Sequence, residues 1–249
     1  MNQQRKEVGH RSYQNYPYMI NKKTPDGVLR PGGLNLTKYL IDACAFRHKA
    51  KVADVGCGTG ITVQYLRDKY GLSATGVDIS ATRLQQGRAR TAGLRLLRAA
   101  AEALPFADDS LDGVLMECSL SVMQDADRVL AEVGRVLSPG GKLGITDMYF
   151  RSVVQGDLPP GCEPQLNAKA GIMTRAELAA LLAAKGFNII TWEERTDSLK
   201  EFVARFIMEH GSAEALCQCL ALRQKEQQLS LQALKKGLGY FLLLAEKRL

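Results

Sequence analysis

The stretch Lys51-Val-Ala-Asp-Val-Gly-Cys-Gly-Thr-Gly60 constrains this chain more than any other. Val52, Ala53 and Val55 form a short apolar run suited to a buried strand. The glycines at 56, 58 and 60 punctuate it, and Ile61 to Tyr70 then reads as a helix. Glycine suits such a turn because it tolerates positive φ and lets a ligand approach bare backbone. Ser73 to Val77 reads as a second strand ending in Asp78, eighteen residues after the last glycine. In a doubly wound sheet, acids at the carboxyl ends of neighbouring strands face one crevice, where a carboxylate can take both hydroxyls of a ribose. A glycine-rich turn alone says little. Turn, helix, strand and terminal acid in this order say a good deal.

The dinucleotide-binding fingerprint does not fit. Thr59-Gly60-Ile61 stands where G-x-G-x-x-G requires two free positions and a third glycine. From about Lys51 to Tyr149 the chain instead resembles the class I S-adenosyl-L-methionine (SAM) dependent methyltransferases. Four stretches carry the resemblance, in that family's order: VADVGCGTG (52–60), GVDIS (76–80), ALPFADDSLDGVLMECSL (103–120) and VLAEVGRVLSPGGKLGITD (129–147). The resemblance implies an α/β fold, a Rossmann-like doubly wound sheet of seven strands with the last one antiparallel. It also implies SAM as cofactor, S-adenosyl-L-homocysteine as product, and a small-molecule acceptor.

Carried over residue by residue, the family's cofactor contacts fall on Asp54, Gly56, Cys57, Gly58, Thr59 and Gly60 beside the methionine and ribose. Asp78 and Ile79 fall at the ribose, Ala101 and Glu102 along the adenine, and Glu117 and Cys118 beside the methionine, facing the acceptor. One departure is visible. The Asp that commonly precedes the Ala-Glu pair is Ala100 here, so the adenine amine needs another acceptor, such as a backbone carbonyl or Glu102.

Methyl transfer from a sulfonium is an in-line displacement in which the protein chiefly aligns nucleophile, methyl and sulfur and excludes water. No obligatory catalytic side chain follows from it. A carbon or oxygen acid would need a base, for which Glu117, Asp147 and Tyr149 are candidates; Cys118 is the candidate for a thiol or arsenic acceptor. An acid after a buried strand, as Glu117 is, needs a partner or water, or else a place in a surface loop.

Within the family, residues 117–149 look most like the arsenite and the quinone-ring C-methyltransferases. Cys118 matches one arsenic-binding position, but the turn Arg30-Pro-Gly-Gly33 has no cysteine and Cys162 lies only in the neighbourhood of another. The alternative for Cys118 is a small core side chain. A second class of function, a regulatory protein that binds SAM without transferring its methyl group, fits the same motifs.

With 249 residues the chain can form one domain with a sizeable core, or one domain and a cap. No run approaches a membrane span, and MNQQRKEVGH lacks the apolar core of a signal peptide. The six cysteines, at 44, 57, 118, 162, 217 and 219, show no paired C-x-x-C spacing. Reduced thiols in the cytoplasm are the expectation, with no metal site and with Cys217 and Cys219 as helix residues. Residues 1–100 hold 17 Lys/Arg against 6 Asp/Glu. That basic excess would permit an acidic substrate, and it also describes a solvated face. Arg83, Arg88, Arg90, Arg95 and Arg98 lack interleaved aromatics, and no Asn-Pro-Pro-aromatic signature follows the fourth strand, so nucleic acid is disfavoured as a partner.

Residues 1–50 read as an N-terminal helical and lid segment, with Tyr13, Tyr16 and Tyr18 as lid or anchor and a helix from Leu34 to Phe46. Residues 51–249 read as the methyltransferase domain. Further elements are expected as a helix from Ser80 to about Arg90, a strand at Leu94–Leu97, a strand at Gly113–Met116, a helix at Asp125–Leu137 and a strand at Lys142–Thr146. Asp147 to Tyr149 then follow at that strand's carboxyl end, over the crevice. The proline-bearing linker 152–171 would roof the pocket, and Thr174-Arg-Ala-Glu177 has capping-box spacing. Phe187–Trp192 reads as the sixth strand and Gly239–Glu246 as the antiparallel closing strand. Between them, 197–236 reads as a helical insertion, either a cap or the surface of a homodimer.

Overall fold

The computed structural model describes residues 27–151, 172–211 and 237–249. In chain order its elements are α1 (Gly33–Cys44), β1 (Lys51–Val55), α2 (Ile61–Tyr70), β2 (Ser73–Asp78), α3 (Ala81–Arg90), β3 (Leu96–Arg98), β4 (Leu111–Glu117), α4 (Ala126–Val136), β5 (Leu137–Phe150), α5 (Arg175–Ala184), β6 (Phe187–Glu194), α6 (Thr196–His210) and β7 (Leu238–Lys247). Among the described residues the strands form one seven-stranded sheet in the order β3-β2-β1-β4-β5-β7-β6. The pairs from β3 to β5 are parallel, and β7 runs antiparallel to both β5 and β6. The chain reverses direction across the sheet at β1, between β2 and β4, and opens a crevice there at the strands' carboxyl ends.

Central parallel strands covered on both faces need apolar side chains on both, and β1, β2 and β4 have them. One face packs Val114, Ile145 and Phe241 under α4 and α5 through Leu130, Val133, Leu178 and Leu182. The other packs Val52, Leu115 and Leu242 under α1, α2 and α3 through Leu40, Leu66 and Leu84, with Leu199 of α6 beside them. The N-terminal helix α1 thus shares a core with the sheet.

Local chemistry sets the element ends. Ser80 caps α3 by accepting from the Arg83 amide, Asp125 caps α4 by accepting from the Arg128 amide, and Thr174 and Glu177 form the reciprocal capping box of α5. Several boundaries depart from the sequence reading, two of them for reasons visible in the strand pairing. β3 is Leu96–Arg98 and leaves out Leu94, because pairing with β2 starts at Gly76 and Leu96. Ser138 to Gly141 do not separate α4 from its strand, since β5 starts at Leu137, opposite Leu111 of β4. The register then shifts so that Gly113 faces Lys142. An irregularity with Gly140 at φ 75° takes up the extra residues and leaves a place for Pro139.

α6 covers the first part of the expected helical stretch; 212–236 lie outside the described residues. So do Tyr13, Tyr16 and Tyr18, the linker 152–171 with Cys162, and Cys217 and Cys219. Among the described residues no helix is long and apolar enough to cross a membrane.

Candidate functional site

The turn after β1 is stitched to the end of β2. The amides of Gly56 and Cys57 both donate to the Val77 carbonyl, at 2.8 and 3.1 Å. Gly56 has φ 82°, and a Cβ there would lie 2.5 Å from that of Ser119, whose hydroxyl donates to the Val55 carbonyl at 2.8 Å. The turn therefore lies directly against the segment that follows β4. Gly58, at φ 55°, is different: a Cβ there would find only an Arg83 nitrogen, 3.9 Å away. Its face is open. Gly60 begins α2 without a side-chain cap, and the first turn of α2 contains no acid.

Asp78 ends β2 and accepts from two backbone amides, Gly58 on one oxygen and Ser80 on the other, each at 2.8 Å. An ionised carboxylate accepts about four hydrogen bonds, so each oxygen keeps capacity for one more. Ile79 beside it is 46 % exposed. The Ala99 amide donates to the Asp78 carbonyl at 3.3 Å, which holds the turn carrying Ala101 and half-buried Glu102 next to that strand end.

Glu117, the last residue of β4, has the partner that its position demands. One carboxylate oxygen accepts from Arg30 Nη2 at 2.8 Å and from the Thr62 hydroxyl at 3.2 Å; the other accepts from the Thr37 hydroxyl at 2.8 Å. Arg30 and Glu117 side chains are 11 % and 2 % exposed, so this is a buried ion pair. Sequence reasoning missed Arg30, Thr37 and Thr62. Only the unpaired acid pointed to them, and Arg30 lies 87 positions away in sequence.

Asp54 sits one strand over, 4 % exposed. Burial, then the neighbouring Glu117 charge, pushes its carboxyl up to about 8 against the opposing pull of Arg30. Its ordinary value is about 3.9, so folding takes up a proton between about pH 4 and 8. This stability is fully present below about pH 4 and is lost as the pH rises through 8. Asp54→Asn should therefore flatten the fall of stability between pH 5 and 8 by about 1 kcal/mol per pH unit, read by thermal melts of both proteins. Parallel curves would contradict it.

Cys118 adopts φ 52°; its amide donates to the Thr146 carbonyl at 2.7 Å and its sulfur lies 3.1 Å from the Tyr240 hydroxyl. Burial pushes the thiols of Cys118 and Cys57 well up, so both are protonated. Asp147 accepts from the Ser121 amide at 2.9 Å and the Met148 amide at 2.8 Å, and burial raises its pKa despite those bonds. It borders a small cavity lined by Leu120, Met173, Leu178 and Phe241.

Tyr149 is not over the crevice. Its ring packs edge-on against Trp192 and Phe241, with centroids 5.3 and 5.8 Å away, and its hydroxyl is bonded to Glu194. Burial, then that carboxylate, pushes it to about 12. Strand alternation is the reason, since Tyr149 shares its face with Ile145 and the α5 core. The structure thus gathers Asp54, the 56–60 turn, Asp78, Ile79, Glu117 and Cys118, with Ala101 and Glu102 alongside. Among the described residues no group of three or more His, Cys, Asp or Glu could hold a metal ion.

A crevice with an open glycine face, a carboxylate with spare acceptor capacity and an uncapped helix start has the donor set that a nucleoside bearing an amino acid requires. Residues 53–145 match the family profile described as "Methyltransferase domain". That match covers less than half of the chain, and over it the chain is similar to a methyltransferase domain.

Among curated proteins, methyltransferase GfsG of Streptomyces halstedii is 36% identical over 132 residues, covering 51% of this chain and 48% of that one. O-methyltransferase resE of Aspergillus sclerotiorum is 30% identical over 162 residues, covering 63% and 61%. The chain therefore spans only about half to three fifths of these relatives' length. Among solved structures, phosphoethanolamine N-methyltransferase 2 of Haemonchus contortus in complex with SAM superposes with a TM-score of 0.71. It is 20% identical, with 89% of this chain and 54% of that chain covered, a likeness of fold.

Proposed function

We propose that the protein transfers a methyl group from SAM to a small-molecule acceptor by in-line displacement. The observation that carries this reading is Asp78, held by the amides of Gly58 and Ser80 with acceptor capacity left on both oxygens beside the open face of Gly58. When bound, SAM supplies the sulfonium-activated methyl group. Asp78 takes the ribose hydroxyls, Asp54 and the 56–60 turn lie along the ribose and methionine, and Ile79, Ala101 and Glu102 flank the adenine. Glu117 holds Arg30 and the start of α2 in place.

The candidate side chains favour transfer by alignment over transfer by a strong base. Glu117 is committed to Arg30, Thr37 and Thr62; Asp147 to two amides; Cys118 to the Tyr240 hydroxyl; Tyr149 to Glu194. An acceptor that ionises readily, such as a phenol or an enol, needs no more than positioning and exclusion of water. The O-methyltransferase named among the relatives supports an oxygen acceptor.

Asp78→Ala would leave the ribose hydroxyls without a charged acceptor, at a cost of about 1.5–3 kcal/mol, or roughly ten- to 150-fold in affinity. Calorimetry with S-adenosylhomocysteine should show that loss, and wild-type affinity in the folded variant would sink the placement. Formation of S-adenosylhomocysteine only in the presence of small phenols or quinols would identify transfer. Binding of SAM with no turnover across such a panel would favour a regulatory protein.

A further inference from the structure

We propose that Arg30 is the receptor for the carboxylate of the cofactor's methionine end. The segment before β1 would then complete the cofactor site of a domain whose family profile begins at residue 53. This rests on the SAM reading above. It starts from an imbalance inside the buried cluster. Arg30 directs Nη2 to Glu117, Thr37 and Thr62, at 2.8, 2.5 and 3.2 Å, yet its Nε is buried and has no hydrogen-bond partner. Buried N–H groups of charged side chains are seldom left unpaired, and those that are commonly await a ligand or an ion. Glu117 meets Nη2 and accepts from Thr37 and Thr62, and it makes no bond to Nε.

The position of the guanidinium narrows the ligand. Asp54, Glu117, Cys118 and Tyr240 all act on its charge, which places it among the carboxyl ends of β1 and β4 and the buried start of β7. Thr62, which it touches, lies in the first turn of α2. That ten-residue helix begins without a side-chain cap or an acid, so its free amides add positive potential on the same side. A guanidinium and an uncapped helix start call for a carboxylate or phosphate. SAM has a single anionic group, the methionine carboxylate. Its sulfonium and ammonium would be repelled by Arg30 and drawn instead toward the Glu117 carboxylate.

The test uses SAM and decarboxylated SAM, which differ only in that carboxylate, titrated calorimetrically into the full chain. The unaltered protein should bind SAM about ten- to a hundredfold more tightly than the decarboxylated compound. Arg30→Lys keeps the cation for Glu117 but loses the planar fork. The double variant Arg30→Met with Glu117→Gln removes both charges together, so no buried charge is stranded. Both should lose most of the preference for SAM; the Lys variant, which leaves Glu117 in place, should keep its affinity for decarboxylated SAM within about twofold of the unaltered protein. Equal loss for both ligands, or no loss for SAM, would overturn the role of Arg30. So would an unaltered protein that binds both compounds equally well. Failure of the unaltered protein to bind either compound would instead bring down the cofactor reading itself.

Discussion

A chain ending at Lys236 should fail to form a stable domain. β7 lies inside the sheet, paired with β5 from Leu238 opposite Phe150 to Glu246 opposite Lys142, and on its other edge with β6 from Phe187 to Glu194, with a register shift between Ile189 and Thr191. Tyr240, Phe241, Leu242 and Leu243 are at most 1 % exposed, and they feed both faces of the core. At about 1.5–3 kcal/mol per buried side chain, these four alone contribute on the order of 6–12 kcal/mol. That is comparable with the whole net stability of a domain, about 5–15 kcal/mol. The truncation would also strip β6 of its one neighbouring strand among the described residues and expose the hydrogen-bonding edge of β5. Circular dichroism and limited proteolysis of the 1–236 fragment should show loss of cooperative melting and rapid digestion. A soluble fragment with a sharp thermal transition would refute the role assigned to β7.

Glu117→Ala should destabilise the protein by about 3–5 kcal/mol, because it strands the Arg30 guanidinium in a site with little access to water. Thr37 and Thr62 would each lose an acceptor as well. For a chain of this length such a loss lowers Tm by on the order of 10 °C. Glu117→Gln retains an acceptor oxygen and should lose distinctly less. The pair of variants also separates structure from catalysis. Were Glu117 a general base, the Gln variant would melt near the unaltered protein and yet lose transfer by about 10²–10⁴-fold. The hydrogen bonds predict the opposite ordering, with stability affected most by Ala and transfer only modestly reduced in Gln. An Ala variant as stable as the parent would show that the ion pair contributes nothing.

Much of the crevice between β1 and β2 was legible because its signals are local. The glycine turn, the acid closing β2 and the caps at Ser80, Asp125 and Thr174 are each defined within a few residues. The chemistry that reads them, positive φ at Gly56 and Gly58 or a side-chain oxygen on an amide, operates at that range. The apolar runs of β1, β2, β4 and β7 marked a sheet buried on both faces, and the closing strand was placed from its own pattern. The register irregularity at Gly113 could not be read in this way, because pairing with β4 rather than local propensity carries 138–141 into β5.

By itself, then, the amino-acid order determined the doubly wound architecture, the turn after β1 and the acid at the end of β2. Tertiary structure alone decided what the charged and aromatic candidates do. Whether Glu117 is a free base or half of an ion pair depends on Arg30, contributed from before β1 and brought to it by the packing of α1 on the sheet. Whether Tyr149 faces ligand or core depends on the pleat of β5 and on Trp192 and Phe241 from two other strands. The elevated carboxyl of Asp54 arises from burial beside a second acid on the neighbouring strand. Each of these is a long-range electrostatic or packing effect. It exists only once strands distant in sequence stand about 5 Å apart, and no local pattern encodes it.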